Sequence, residues 1–448
     1  MKKIVSALFL PLFLSASNAP LTLNEALEIL KNNNLEIKAA SLEVKSAQED
    51  VDQTSGLNWG KLDFTQDIAK SNDAGMVFGF KLTSREANFG DFGFSDFSLT
   101  NPDILTVEPE DLNYPDARNF FQSKLKYELP LFTGFAITSY ENIMKEVKNI
   151  KSLDKEKTLN EKVFQLKKSY YDMALLESSI TNMQKILSNI DALENTTKTM
   201  INVGYAKKVD LLEVKAKKGN VERLLVQMKA NEELLYHYIS FLLNEKVELI
   251  ELPTTEIKEP NFSDDTVLER NLDIQKATTA LEIKASMLKA SQANYYPTLG
   301  AFGEIATADD TFLGEASDHK AYTVGARLTW NIFNGGIDSA KVEKAKIEQL
   351  KMQSQVQLAK KGISLQLAKI KTEIKSANQE INSLTKELDL ANAIYKNYEA
   401  RYKEKLVSMN DVIIKQSSQI EKILQLLVAK NKRNEKIFEL EKLANGEK

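Results

Sequence analysis

The strongest constraint in this chain is an apolar seam that occurs twice. Apolar residues recur at alternating four- and three-residue steps through Ile363, Leu367, Ile370, Ile374, Ala377, Ile381, Leu384, Leu388, Ala391, Tyr395, Tyr398 and Tyr402. A shift of 201 positions toward the N-terminus finds much of that seam again, at Leu166, Met173, Leu176, Ile180, Met183, Leu187, Ile190 and Ile201. The same shift carries Phe333 and Gly335 onto Phe132 and Gly134, and Asp411 onto Asp210. Sustained seven-residue spacing buries one stripe of a long helix against a neighbouring helix. The pattern therefore reads as a tandem duplication, each copy carrying a long coiled-coil helix.

Glycine and proline show where those helices stop. Neither occurs from Phe135 to Val203, and from Ile337 to Asn445 there is only Gly362. Each stretch has room for a helix of about 65 residues, roughly 100 Å long, then a break, then a returning helix. The breaks are Asn202 to Asp210 and Lys403 to Asp411. Gly204 suits the left-handed conformation that ends a helix, and Asp210 suits the cap of the next. Shorter opening helices are expected over 24–53 and 264–293, with Thr22 or Asn24 as candidate caps. In each half the opening and returning helices together match the long one in length. Stacked end to end, they would pack along it as a tube wall.

Between opening and long helix the period changes to two. Phe121, Leu125, Tyr127, Leu129 and Leu131 alternate with Gln122, Lys124, Lys126 and Glu128. Tyr322, Val324, Ala326, Leu328, Trp330 and Ile332 alternate with Thr323, Gly325, Arg327, Thr329 and Asn331. Weaker partners precede them, around Leu62–Ile68 and Thr298–Ile305. That gives two strands per half, of membrane-spanning length, each with one apolar and one polar face. On a lipid-spanning strand Lys124, Lys126, Glu128 and Arg327 must look into water. Trp59 and Trp330, with Tyr295 and Tyr296, lie at the strand ends next to the helices, where a membrane girdle would sit. Four strands cannot close a barrel, and open edges are not tolerated in lipid. Several chains, related by cyclic symmetry, must pool their strands. The first loop carries an insertion between Ser71 and Asn119 whose Met76–Leu82 run suggests an extra strand or a lid.

The fold class expected is mainly α with a small β part. It consists of two tandem repeats of helix, strand, strand, long helix and helix, over 20–247 and 263–446 with a linker at 248–262. Residues 1–19 read as a secretory signal, with Lys2 and Lys3 before an apolar run from Ile4 to Leu14. Cleavage after Ser17 or after Ala19 both remain open. A net charge of −4 with scattered basic residues argues against a nucleic-acid partner. With no cysteine there is no disulfide and no thiol chemistry. The two histidines, His237 and His319, stand apart, so no histidine-based metal site or catalytic dyad is expected. Asp309, Asp310, Glu315 and Asp318 read first as a solvated acidic loop and only second as a divalent-ion site. No catalytic constellation, cofactor or metal is expected, and the chain is not read as an enzyme.

These residues resemble the TolC-like outer-membrane efflux protein family. The resemblance rests on Leu21-Thr22-Leu23-Asn24-Glu25-Ala26-Leu27, Tyr296-Pro297-Thr298-Leu299, Leu131-Phe132-Thr133-Gly134 with Ile332-Phe333-Asn334-Gly335-Gly336, and the tip Asn202-Val203-Gly204 with Asp210. It implies a homotrimer whose strands form one barrel in outer-membrane lipid, continuous with a periplasmic helical tunnel. It also implies docking with a periplasmic adaptor (membrane fusion protein) and an inner-membrane pump. Tip contacts would close the tunnel at rest, at positions matching Asp210 and Tyr402, with Asp411 matching an acidic residue that rings the entrance. Val407 and Ile414 stand where the family's pattern has an arginine and a second acidic residue. Adaptor contact is expected at Val203, Gly204, Tyr205, Lys207, Lys208, Leu406 and Ser408. On this reading the chain is a passive exit duct. A periplasmic adaptor or a coiled-coil tether are the alternatives, and the alternating strands argue against both.

Overall fold

In the computed structural model the described residues are 19–254, 257–312, 314 and 318–446. The expected signal segment thus falls, but for Ala19, outside them, as does Glu315. The element order is α1 (Leu23–Asn33), α2 (Leu35–Gly56), β1 (Lys61–Ser71), α3 (Ala74–Thr83), α4 (Glu110–Asn113), β2 (Arg118–Phe132), α5 (Ala136–Asn202) and α6 (Lys208–Leu243), then α7 (Asp264–Arg270), α8 (Leu272–Gln292), β3 (Thr298–Asp309), β4 (Lys320–Thr329), α9 (Ile337–Lys403) and α10 (Met409–Leu443). Apart from α3 and α4, which lie in the first-half insertion, the same sequence of elements runs twice. Both long helices, α5 and α9, have 67 residues. Among the described residues no helix is long and apolar enough to cross a membrane.

The chain forms two compact units. The helical unit takes Ile150–Thr278, Ser354–Lys448 and the N-terminal segment through Val44; the sheet unit takes Lys45–Asn149 and Thr279–Gln353. In the helical unit the seams do what their spacing requires. Leu176, Ile180, Met183, Ile190, Tyr395 and Tyr402 pack with Val214, Val221, Val412 and Ile420 in one core cluster. Ile363, Leu367, Ile370 and Ile374 pack with Ile437 and Phe438 in another.

The opening helices differ from expectation: each is two helices, broken at Asn34 and at Asn271. Both asparagines are buried and extended (ψ 127° and 122°). Asn34 Oδ1 accepts from the N–H groups of Glu36 (3.0 Å) and Ile37 (3.1 Å), and its Nδ2 donates to Leu242 O (2.8 Å). Asn271 Oδ1 accepts from Asp273 (3.1 Å) and Ile274 (3.1 Å), and its Nδ2 donates to Leu443 O (3.0 Å). One side chain therefore caps the start of α2 or α8 and satisfies a carbonyl at the end of α6 or α10. Both helix ends would otherwise leave polar groups without partners. This is the end-to-end stacking that the helix lengths require.

In the sheet unit the strands form one antiparallel sheet in the order β1-β2-β3-β4. β1 and β3 run further than expected, to Ser71 and Asp309, whereas β4 stops at Thr329, leaving Trp330 and Ile332 just beyond it. Pro130 is tolerated in β2 because a register shift falls between it and Phe132. The Met76–Leu82 run forms the helix α3, not a strand. Its Asp73 cap accepts from Met76 N–H (2.9 Å), and Phe80 stacks on Phe120 of β2. The sharp entry into α5 needs Gly134 (φ 62°), where any Cβ would lie 2.6 Å from Ala293 O.

Candidate functional site

Two regions carry the chemistry. The first is the sheet, whose register puts like with like. Leu62 pairs with Tyr127, Phe64 with Leu125, Leu125 with Ile305 and Ile305 with Tyr322. This apolar face is exposed from one edge of the sheet to the other. On the opposite face Lys61 pairs with Glu128, Asp63 with Lys126 and Lys126 with Glu304. The expected residues Lys124, Lys126, Glu128 and Arg327 share this second face. There Lys124 lies 3.6 Å from Glu304, Lys126 lies 2.6 Å from Glu128, and the Arg327 guanidinium sits over the Phe302 ring. Charge of both signs is spread across the face, and strand alternation keeps most of it apart from the apolar side chains. Trp59 precedes β1 and Trp330 follows β4, so the two tryptophans mark the helix-side ends of the two edge strands. Tyr127 OH donates to Trp59 O (2.5 Å) and Trp330 Nε1 to Tyr295 O (3.2 Å).

The second region is the pair of hairpin tips. Gly204 adopts φ 77°, and Tyr205 N–H reaches back to Met200 O (2.8 Å) to close α5. Lys405 takes the same left-handed conformation (φ 64°), with Leu406 N–H bonded to Arg401 O (2.8 Å). The Lys405 ammonium rests 3.3 Å from the centre of the Tyr205 ring, linking the two tips of one chain. Asp210 lies in the first turn of α6, where its carboxylate accepts from Lys207 N–H (2.7 Å). Asp411 does the same in α10 and more. It accepts from Ser408 N–H (3.0 Å) and Ser408 Oγ–H (2.6 Å), while Ser408 Oγ accepts from Asp411 N–H (3.2 Å). Both aspartates thus reach back from the third helical position rather than standing at the cap itself. The Ser408 hydroxyl, then its backbone N–H, holds the Asp411 carboxyl below the ordinary value.

Tyr402 is buried, and its hydroxyl lies 3.4 Å from Thr197 Oγ1. Burial raises its phenol, the Thr197 contact opposes this, and the charge of Asp210 adds to the rise. Of the three expected gate residues, then, Asp210 and Asp411 are bonded within their own tips, and Tyr402 lies against Thr197 of the other long helix. Val203, Tyr205 and Leu406 are exposed.

One grouping escaped the sequence. Glu86, Asp309 and His319 bring metal-ligating atoms within 4.8 Å of one another at the far ends of the strands. Glu86 and His319 lie in different halves, far apart in the chain, so no spacing rule links them.

These features define a class: a mainly helical chain with long paired helices and an amphipathic open sheet. The family profile described as outer membrane efflux protein matches residues 265–446. Among curated proteins none matches the chain. Among solved structures the fold is similar to that of CusC, at 15% identity and a TM-score of 0.79 over 95% of this chain and 92% of that one. It is similar to VceC of Vibrio cholerae at 14% identity and 0.76, covering 95% and 96%. It is also similar to the MtrE outer-membrane channel of Neisseria gonorrhoeae, in a structure described as its open state, at 15% identity and 0.74, covering 95% and 89%. The resemblance to TolC-like outer-membrane efflux proteins is therefore borne out, by sequence in the second half and by fold over nearly the whole chain.

Proposed function

We propose that three copies of this chain pool their strands into one barrel in the outer membrane, continuous with a helical tunnel in the periplasm, as a passive exit duct. The observation that carries this reading is the open four-stranded sheet. Its two edge strands, β1 and β4, pair within the chain on one side only. One face is exposed and apolar, the other charged. In water the apolar face is unfavourable; in lipid the open edges are. Closure with further copies removes both problems, placing Lys124, Lys126, Glu128 and Arg327 on a water-filled lumen and Trp59 and Trp330 at the periplasmic interface. A tether or an adaptor has no use for such a sheet.

The tips are the gate. Asp210, Tyr402 and Asp411 hold the entrance closed through contacts between neighbouring chains. The exposed tip residues Val203, Gly204, Tyr205, Lys207, Lys208, Leu406 and Ser408 receive a periplasmic adaptor, which links the duct to an inner-membrane pump. Opening is a shift between two packings of the tips, biased by that adaptor. That MtrE has been captured in an open state supports a two-state entrance in this fold. In planar bilayers Asp210→Ala and Tyr402→Phe should raise single-channel conductance above wild type. A product that stays monomeric, dissolves without detergent and conducts nothing would overturn the duct. Unchanged conductance in both variants would overturn the gate.

A further inference from the structure

We propose that Glu86, Asp309 and His319 form a binding site for one divalent first-row transition-metal ion, with Zn2+ as the reference ion. The site lies where the two loop systems meet at the far ends of the strands. Asp309 is the last residue of β3, and His319 directly precedes β4. Glu86 follows α3, in the insertion found only in the first half. All three present ligand atoms within 4.8 Å of one another, close enough for one ion to bridge them.

Glu86 and Asp309 are already held by other contacts. Glu86 N–H donates to Lys81 O (2.9 Å), fixing the turn after α3. Its carboxylate is paired with the Arg118 guanidinium at the start of β2. Asp309 is 6% exposed, and its Oδ1 accepts from Asp310 N–H (2.6 Å). His319 supplies an independent observation. Its Nδ1 is shut off from solvent and has no hydrogen-bond partner among the described residues. A buried ring nitrogen ordinarily finds one. A metal ion satisfies a neutral imidazole as a ligand.

Donor type selects the ion. The Arg118 guanidinium is shared by Glu86 and Asp310, lying 3.7 Å from the latter. One imidazole nitrogen with two carboxylate oxygens favours zinc and its neighbours, whereas Ca2+ and Mg2+ favour all-oxygen shells. Arg118 bonds a ligand rather than the ion, and so orients Glu86. Bound metal would tie the first-half insertion to the β3–β4 turn of the second half.

The chain suits a direct test, because it has no cysteine and only two histidines. The untagged full chain, purified in detergent and stripped with a chelator, is titrated with Co2+ and then challenged with Zn2+ or Ca2+. One Co2+ per chain should bind with a nitrogen-ligated visible spectrum, be displaced by Zn2+ and persist in excess Ca2+. His319→Gln should abolish that spectrum and weaken Zn2+ binding by at least about tenfold; Glu86→Gln should weaken it too, and His237→Gln should change nothing. Circular dichroism and elution volume establish that each variant is folded. Should His319→Gln fail to fold, Glu86→Gln on its surface loop decides alone. Unaltered binding in the folded variants, displacement by Ca2+, or no binding above a detergent blank would overturn the site.

Discussion

The tip that follows α5 and the tip that follows α9 occupy equivalent places in the repeat, yet they are tied down differently. In the first, Gly204 turns the chain, Lys207 stands before the new helix, and Val203, Tyr205, Val209 and Leu212 face outward. In the second, Lys405 makes the same turn, Ser408 and Asp411 close a reciprocal capping box, and Met409 and Val412 are buried in the core cluster. The joints behave in the opposite way. Asn34 and Asn271 make the same three hydrogen bonds to equivalent groups. The contrast shows what a duplicated architecture holds fixed. Buried backbone groups admit few solutions, so the joints coincide. Exposed tips are under no such constraint, so they diverge, and the first exposes more apolar side chains.

The largest effect should come at the joints. Asn34→Ala and Asn271→Ala each remove a cap and orphan a buried carbonyl, a loss of about 2–3 kcal/mol. Hydrogen exchange at the amides of Glu36 and Ile37, and of Asp273 and Ile274, should report local opening by similar amounts in the two halves. A large loss in one half with none in the other would break the equivalence of the joints.

The tips should respond unequally. Ser408→Ala removes a side-chain cap from α10 and should cost about 1 kcal/mol in local stability. Lys207→Ser supplies the missing hydroxyl to α6 and should gain a comparable amount, both read by exchange of the first-turn amides. If Lys207→Ser gains nothing, the first tip is limited by something other than its cap.

The same serine sets a pH dependence. Asp411 is held below its ordinary value of 3.8 by the Ser408 hydroxyl and N–H. A carboxyl depressed in the folded state contributes stability above its unfolded value and loses it as pH falls through the folded one. The second tip should therefore stay capped at neutral pH and loosen only below the ordinary carboxyl range. Carbon-detected titration of labelled Asp411 should show that low midpoint, and Ser408→Ala should move it up toward 3.8.

Much of this was legible in the sequence, for identifiable reasons. Period-seven and period-two patterns are direct records of burial, so the 67-residue helices and the strand faces with Lys124, Lys126, Glu128 and Arg327 could be read from them. Gly204 announced the first tip. The joints were not legible, because the apolar pattern runs on through Asn34 and Asn271, and the break is set by a carbonyl some 200 residues away. Met76–Leu82 misled because an apolar run of that length fits strand and helix alike; the Asp73 cap decides it. Glu86 and His319 meet only through strand order, which periodicity does not encode. The second tip also hid its turn, since Lys405 carries no glycine signal.

Lys405 gives the finest test of the difference between the tips. Its left-handed backbone costs a residue with a Cβ about 1 kcal/mol or more, and Lys405→Gly removes that cost, restoring what Gly204 has. The substitution also removes the ammonium from the Tyr205 ring, a contact worth about 0.5–1 kcal/mol at an exposed site. The two terms oppose, so stability should change little. Lys405→Gly combined with Tyr205→Leu should then be no worse than Tyr205→Leu alone, because the ring contact is already gone and only the backbone relief remains. A double-mutant cycle on thermal midpoints measures the coupling directly. Zero coupling would mean that the two tips of one chain are independent, and that the left-handed lysine is held by its helix end alone.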